Sequence, residues 1–151
     1  MRTAIGPKNI RPAIAEDAAA IADLLRQLGY DVTASGAARR LGLLGSTGCD
    51  PIYLAIEGER PLGLIAMHWT LMLQAEGPVA RITALVVDEQ ERRREIGRQL
   101  LEHAIAAARR AGCVRIELTT ALDRADAHRF YRANGFTATS LRFSREIGTD
   151  Q

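Results

Sequence analysis

Hydrophobic residues recur every three or four positions in four stretches of the chain, a spacing that places them on one face of a helix. The clearest stretch covers residues 16–28 and is followed by Gly29, a residue type that commonly ends helices. A weaker pattern covers residues 34–44. We expect two further helices, at about residues 96–110 and 125–133, because a glycine also follows each of them closely.

Runs of apolar and β-branched residues between these helices predict strands. They cover residues 9–14, 52–57, 62–73, 79–87, 114–119 and 136–143. A Gly-Glu-Arg-Pro turn predicts a hairpin between the second and third strands, whereas the long helix connects the fourth and fifth as a crossover between parallel strands. The order β-α-α-β-β-β-α-β-α-β therefore predicts a single α/β (α+β) domain, with a mixed central sheet flanked by about four helices.

The loop before the long helix is rich in arginine, which favours an anion site. The first turn of a helix offers unpaired backbone N–H groups and the positive end of the helix dipole. Four arginines surround this turn, and Gly97 leaves the backbone open to a ligand. An arginine run before a helix is equally often a solvated surface, so both interpretations stay open. A P-loop is excluded because the only lysine is Lys8, and one glycine in the turn is a weak dinucleotide fingerprint.

Composition narrows the class of protein. The 151 residues fit one domain, with 47% hydrophobic and 25% charged residues, as in globular proteins. No apolar run approaches the roughly 20 residues of a membrane span, and no signal-type segment opens the chain, so we expect a cytoplasmic protein without a membrane partner. Cys49 and Cys113 are too few for a disulfide framework or a zinc site, so we expect no metal. A net charge of +2 gives no reason to expect a nucleic-acid partner.

Two motifs resemble those of the GNAT superfamily of acetyl-CoA-dependent N-acetyltransferases. The run RRREIG at residues 92–97 resembles the phosphate loop of that family, Gln/Arg-x-x-Gly-x-Gly/Ala, with Glu95 in place of the first glycine. The run AHRFYRANGF at residues 127–136 resembles the closing motif Ala-x-x-Phe/Tyr-Tyr-x-x-x-Gly-Phe, and Arg124 matches a common variant of it. The predicted element order is also that of the GNAT fold.

The resemblance implies that a neutral amine attacks the thioester of acetyl-CoA. The pantetheine arm would pair like an extra strand with the fourth strand, and a backbone N–H of Leu85 or Val86 would meet the thioester oxygen. Tyr131 would act as general acid toward the departing thiolate. The residues predicted to bind the coenzyme are Leu85, Val86, Val87, Arg92, Arg93, Arg94, Glu95, Ile96, Gly97, Arg98, Arg124 and Tyr131.

The general base and the acceptor are less clearly indicated. The fourth strand carries no acid from residue 82 to 87, so a water relay is expected, with His68 or Glu57 as the titratable side chain beside it. The acceptor would be a small-molecule or protein amine bound near the first two helices and the loop to Asp50. A homodimer is expected by family analogy alone. The alternative function is a non-catalytic domain that binds acyl-CoA as a regulatory or interaction module.

Overall fold

The structure is a computed structural model that describes residues 9–92 and 95–149. It divides into two compact units, of which the first ends at Leu118 and the second begins at Thr119. The first unit contains β1 (Asn9–Pro12), α1 (Ala18–Gln27), α2 (Ala34–Gly45), β2 (Ile52–Glu57), β3 (Arg60–Thr70), β4 (Val79–Val87), α3 (Ile96–Arg110) and β5 (Arg115–Leu118). The second unit contains α4 (Ala125–Ala133). None of the helices in the described residues is long and apolar enough to cross a membrane.

The five strands form one sheet in the order β1-β2-β3-β4-β5. The first three pairings are antiparallel and the pairing of β4 with β5 is parallel, as expected from the α3 crossover. The α/β fold with a mixed sheet and four helices confirms the predicted fold class. The predicted limits of α2, β2, β4, α3 and α4 agree with the observed ones to within one residue.

The sheet is covered on both faces in the first unit. Leu54 and Leu64 are buried in one cluster with the apolar face of α1, so α1 and α2 lie on that face. The neighbour of Leu54 in β2, Tyr53, contacts His103 of α3 with ring centroids 4.5 Å apart. Because successive side chains of a strand point to opposite faces, α3 covers the other face of the sheet. A side chain at Gly63 would come within 3.2 Å of Leu100, so the glycine allows α3 to approach β3 closely.

The third strand is shorter than predicted. We expected it to continue to residue 73, but β3 ends at Thr70, which pairs with Val79 at the start of β4. Beyond that pair β4 offers no further residue for the ladder, so the chain leaves the sheet. Leu71 and Leu73 are consequently exposed, although their apolar character suggested a strand.

The predicted last strand, at residues 136–143, is wrong. Residues 136–149 form neither strand nor helix in the described part of the second unit, and the sheet has five strands instead of six. Leu141 and Phe143 alternate as strand residues do, but they are 74% and 90% exposed. Alternation indicates one apolar face, whereas a strand also needs a neighbouring strand for its main-chain groups.

Candidate functional site

The C-terminal half of β4 has one unpaired edge within the first unit, because the strand contains an irregularity. The pairs Ala66 with Ala84 and Met67 with Ile82 are consecutive in β3, so Thr83 is an extra residue in β4. Such a bulge bends the strand and interrupts its ladder. The parallel ladder with β5 covers only the residues from Val79 to Ile82. Within the first unit, β4 therefore pairs on both sides before the bulge and only with β3 after it.

The direction of the main-chain groups beyond the bulge follows from one hydrogen bond. The N–H of Asp88 donates to Leu62 O of β3 at 2.8 Å. Main-chain groups alternate in direction along an antiparallel strand, so those of Val86 also face β3. Those of Leu85 and Val87 face the opposite edge. Of the three predicted coenzyme-binding residues in β4, Leu85 and Val87 thus have main-chain groups that face away from β3, and Val86 has groups that face β3.

β4 precedes α3 along the chain, and the backbone is strained at the residue just before α3. Glu95 precedes the helix with φ 61°, and among the described residues it is the only non-glycine with a positive φ. A left-handed residue with a side chain costs about 1 kcal/mol or more, which explains why glycine is usual there. The first helical hydrogen bond runs from the N–H of Gln99 to Glu95 O at 3.1 Å. The N–H groups of the first turn, from Ile96 to Arg98, precede that bond and point toward the loop.

Charges of both signs surround this turn. Arg98 pairs with the carboxylate of Glu95 and lies 3.2 Å from that of Glu102, and the contact with Glu95 raises the pKa of Arg98. Arg92 is exposed at the end of a short turn that follows β4. The predicted coenzyme contacts of Arg93 and Arg94 lie outside the described residues. The site thus combines helix N–H groups with guanidinium groups, which suits a phosphate, but includes one carboxylate that opposes it.

The general-base candidates lie at opposite ends of the sheet. Glu57 pairs with Arg60 at the β2–β3 hairpin, whereas His68 pairs with Arg81 eight residues further along β3. At about 3.3 Å per residue, roughly 25 Å of strand separates these positions. The two alternatives for the general base therefore do not share one cleft, because the hairpin places Glu57 near the C-terminal end of β4 and His68 near its start.

His68 belongs to a row of polar side chains that the sequence analysis missed. Leu64 and Ala66 face the helices α1 and α2, so His68, two residues further along β3, lies on the same face. Its register partner Arg81 shares that face. At one end of the row, Asp50 Oδ1 lies 3.9 Å from His68 Nδ1, and at the other Glu117 Oε1 lies 3.7 Å from the Arg81 guanidinium.

A cleft of about 280 Å³ adjoins this row. It lies between the ends of β1 and α2, the loop that follows α2, and the start of β2, and Asp50 is part of its lining. The carboxylate of Asp50 is held in place by the Thr47 hydroxyl, which donates to Asp50 Oδ2 at 2.5 Å. This cleft lies where the sequence places acceptor recognition. In the sequence, only Asp50 pointed to this cleft, because its contact with His68 depends on strand register.

In the second unit, Tyr131 lies on α4 between two aromatic rings. The ring centroids of Phe130 and Phe136 are 5.2 and 5.6 Å from that of Tyr131, in edge-to-face orientation. Burial raises the pKa of the Tyr131 phenol, and the charge of Arg124 offsets part of that rise. The phenol is therefore protonated throughout the neutral range and is chemically fit to donate a proton.

Comparisons with known proteins identify the family to which this chain is similar. The family model "Acetyltransferase (GNAT) family" matches residues 19–136. The aminoalkylphosphonate N-acetyltransferase of Salmonella typhimurium is 34% identical over 146 residues, which cover 91% of this chain and 90% of that protein.

Solved structures share the fold. A Bacillus halodurans C-125 protein described as a transcriptional regulator has a TM-score of 0.83 at 26% identity, covering 92% of this chain and 99% of that one. Glucosamine-6-phosphate N-acetyltransferase from Arabidopsis thaliana has a TM-score of 0.80, covering 93% and 98%, and at 22% identity it shows the fold alone. The chain therefore belongs to the GNAT family and is an acetyl-CoA-dependent acyltransferase.

Proposed function

We propose that this protein transfers the acetyl group of acetyl-CoA to the primary amine of a small molecule. The observation that carries the proposal is the open edge of β4, which leads within one unit to the N-terminus of α3. An extended pantetheine arm needs such an edge, and a pyrophosphate needs such a helix end. The Salmonella relative, by its name, acetylates aminoalkylphosphonates, so these are the first acceptors to test.

Leu85 and Val87 are the residues that would pair with the pantetheine arm. Their main-chain groups face away from β3, whereas those of Val86 face β3. Val86 also has a side chain that is only 2% exposed in the core. The backbone N–H of Leu85 is accordingly our candidate for the donor to the thioester oxygen, where negative charge develops as the amine attacks. Val86 supports the strand from its inner side.

The pyrophosphate would lie against the first turn of α3. The N–H groups of Ile96, Gly97 and Arg98 supply directed donors, and the exposed guanidinium of Arg92 supplies charge. Arg93 and Arg94 belong to the same proposed site by sequence. Glu95 contributes its backbone conformation, while its side chain neutralises part of the charge of Arg98.

Two further side chains would transfer protons in this reaction. The amine nitrogen forms the amide as the carbon–sulfur bond breaks, so one proton must leave the nitrogen and one must reach the sulfur. We assign the second step to the Tyr131 phenol and the first to His68, directly or through a water molecule. Asp50 lies beside His68, with its Oδ1 3.9 Å from His68 Nδ1. Glu57 has no place in this scheme because it lies at the end of β2, opposite Arg60 and far along the sheet from His68.

The test is release of free thiol from acetyl-CoA in the presence of an amine panel that includes 2-aminoethylphosphonate. We expect amine-dependent thiol release and an acetylated product of the correct mass for at least one amine. His68→Gln should lower turnover about 10- to 100-fold at neutral pH and less above pH 9, where more of the amine is already neutral. The matched control is His128→Gln, because the ring nitrogen of His128 contacts the carbonyl oxygen of Ala121 at 2.9 Å.

Two results would contradict the proposal. If no amine yields thiol while coenzyme A still binds, the protein is not an amine acetyltransferase of this kind. If His68→Gln retains full turnover at every pH, proton removal does not involve His68.

A further inference from the structure

We infer that Arg81 selects an acceptor that carries an anionic group one or two carbon atoms from its amine. The inference rests on the proposed function and extends it to the recognition of the acceptor. Its basis is the polar row Asp50–His68–Arg81–Glu117, in which two carboxylates flank the imidazole of His68 and the guanidinium of Arg81 on one face of the sheet.

Arg81 is only loosely engaged within the described chain. The 3.7 Å contact with Glu117 exceeds hydrogen-bond distance, and the side chain of Arg81 is 39% exposed. Glu117 is shared, since its other carboxylate oxygen lies 3.4 Å from Nε of Arg115. One carboxylate between two guanidinium groups leaves a net positive charge at this end of the row. Donor groups of Arg81 are thus free to meet a ligand.

The other end of the row has the opposite character. The carboxylate of Asp50 lines the cleft and its side chain is 18% exposed. His68 lies between Asp50 and Arg81, as the register partner of Arg81. Side chains directly opposite each other on neighbouring antiparallel strands have Cβ atoms about 5 Å apart. A short zwitterion can therefore present its ammonium toward His68 and Asp50 and its anion toward Arg81 at the same time.

The position of Arg81 along β4 also links it to the reacting end. Arg81 lies two residues before the bulge at Thr83, and Leu85 lies two residues after it. An anion held at Arg81 would fix one end of the acceptor next to the bend, so its amine would have a restricted set of positions. A guanidinium group suits this task because its planar donors can hold two oxygen atoms of one phosphonate or carboxylate.

The experiment compares matched acceptors with wild type, Arg81→Gln and Arg81→Lys. The acceptors are 2-aminoethylphosphonate, β-alanine as a carboxylate of similar length, and propylamine as an amine that lacks an anionic group. We expect Arg81→Gln to raise KM for 2-aminoethylphosphonate about tenfold or more, to change kcat little, and to leave KM for propylamine within about twofold. Arg81→Lys should also raise KM for 2-aminoethylphosphonate, but less than Arg81→Gln does. Arg109→Gln is the control, because Arg109 is exposed in the last turn of α3, on the opposite face of the sheet.

Calorimetric binding of 2-aminoethylphosphonate to the protein with coenzyme A separates this inference from the proposed function. Binding that is weakened by Arg81→Gln supports the inference even if no turnover occurs, in which case the proposed function alone fails. Turnover with equal preference for all three acceptors, unchanged by Arg81→Gln, overturns the inference alone. An equal loss for acceptors with and without an anionic group also overturns it, because Arg81 would then act on the fold or on the coenzyme. Comparison of the phosphonate with β-alanine identifies which anion the site prefers.

Discussion

Glu95 and Arg98 form an ion pair across the first turn of α3, and Glu95 makes this contact from a left-handed backbone conformation. The pair places a carboxylate beside the proposed pyrophosphate site. It also occupies a guanidinium that could otherwise bind the ligand. Both effects oppose binding of an anion, so we expect the sequence of this loop to limit its affinity for coenzyme A.

Replacement of Glu95 by glycine should preserve or increase the affinity for coenzyme A. Glycine adopts φ 61° without the cost of about 1 kcal/mol, which offsets the loss of an exposed ion pair, so the free energy of unfolding should change by less than about 1 kcal/mol. Titration calorimetry and chemical denaturation measure the two quantities. Glu95→Gln is the control, because it removes the charge and keeps the strained backbone. A large loss of affinity in Glu95→Gly alone would show that the left-handed glutamate helps to bind the ligand.

Replacement of Gly97 by valine should weaken coenzyme A binding at least tenfold. Gly97 is half-buried at the second position of α3, where a branched side chain would occupy the approach to the helix N–H groups. Gly42→Val in α2 is the matched control, because a Cβ atom there meets nothing within 4 Å. Titration calorimetry of both variants checks the expectation. Equal affinity of Gly97→Val and wild type would remove the helix end from the proposed site.

Replacement of Tyr131 by phenylalanine should lower turnover by about 10² to 10⁴ while the fold and coenzyme affinity are kept. The ring contacts with Phe130 and Phe136 remain, and only the proton donor is lost. The defect should decrease as the pH rises toward the thiol pKa of about 8.5, since the thiolate then needs no donor. Tyr30→Phe is the control, because Tyr30 is 56% exposed. A loss below threefold, or one independent of pH, would make Tyr131 a packing or orienting residue.

Replacement of Asp17 by asparagine should lower the free energy of unfolding by about 1 to 3 kcal/mol at neutral pH. Asp17 is 8% exposed and accepts hydrogen bonds from both terminal nitrogens of Arg11, at 2.8 and 3.0 Å, and from the N–H of Ile14. These bonds hold β1 to the start of α1. Asp23→Asn is the control, because the exposed pair of Asp23 with Arg26 should contribute little.

The effect of Asp17→Asn should depend on pH in a defined direction. The hydrogen bonds from Arg11 hold the pKa of Asp17 below its ordinary value in the folded state. The stabilisation is therefore complete above the unfolded-state pKa of about 3.9 and disappears as the pH falls through the lower folded-state value. Urea denaturation of both proteins between pH 2 and 7 measures the difference. A constant difference across that range would mean that Asp17 does not titrate with folding.

The sequence predicted those parts of the fold that depend on local burial. The apolar face of α3 and the continuous apolar run of β2 each indicate which side chains leave water, and both elements were found where expected. Leu73 and Phe143 failed as strand residues because a strand also requires a partner. Partners are fixed by the register of distant segments, which a single apolar pattern does not contain.

The candidate site divides in the same way. The helix end at Ile96 and the aromatic pair with Tyr131 are continuous in sequence, so motif and spacing located them. His68 and Arg81 are 13 residues apart in the sequence and lie opposite each other on neighbouring strands. An irregularity separates this pair from the regular pairs in the second half of β4. Side-chain parity calculated from the sequence changes by one at such an irregularity, so the shared face could not be known in advance.

The bulge at Thr83 has a consequence for protein engineering. The residues before and after it pair with consecutive residues of β3, so removal of Thr83 would leave every other pair of that ladder in register. Deletion of one residue usually moves every later side chain of a strand to the opposite face, but here it would restore the regular alternation of side chains. Deletion of Thr83 should thus give a folded protein with a straighter β4, in which the ladder with β5 can extend past Ile82 and close the open edge. By this expectation Thr83 is not required for folding, and its presence keeps the second half of β4 open at the edge where the coenzyme is proposed to bind.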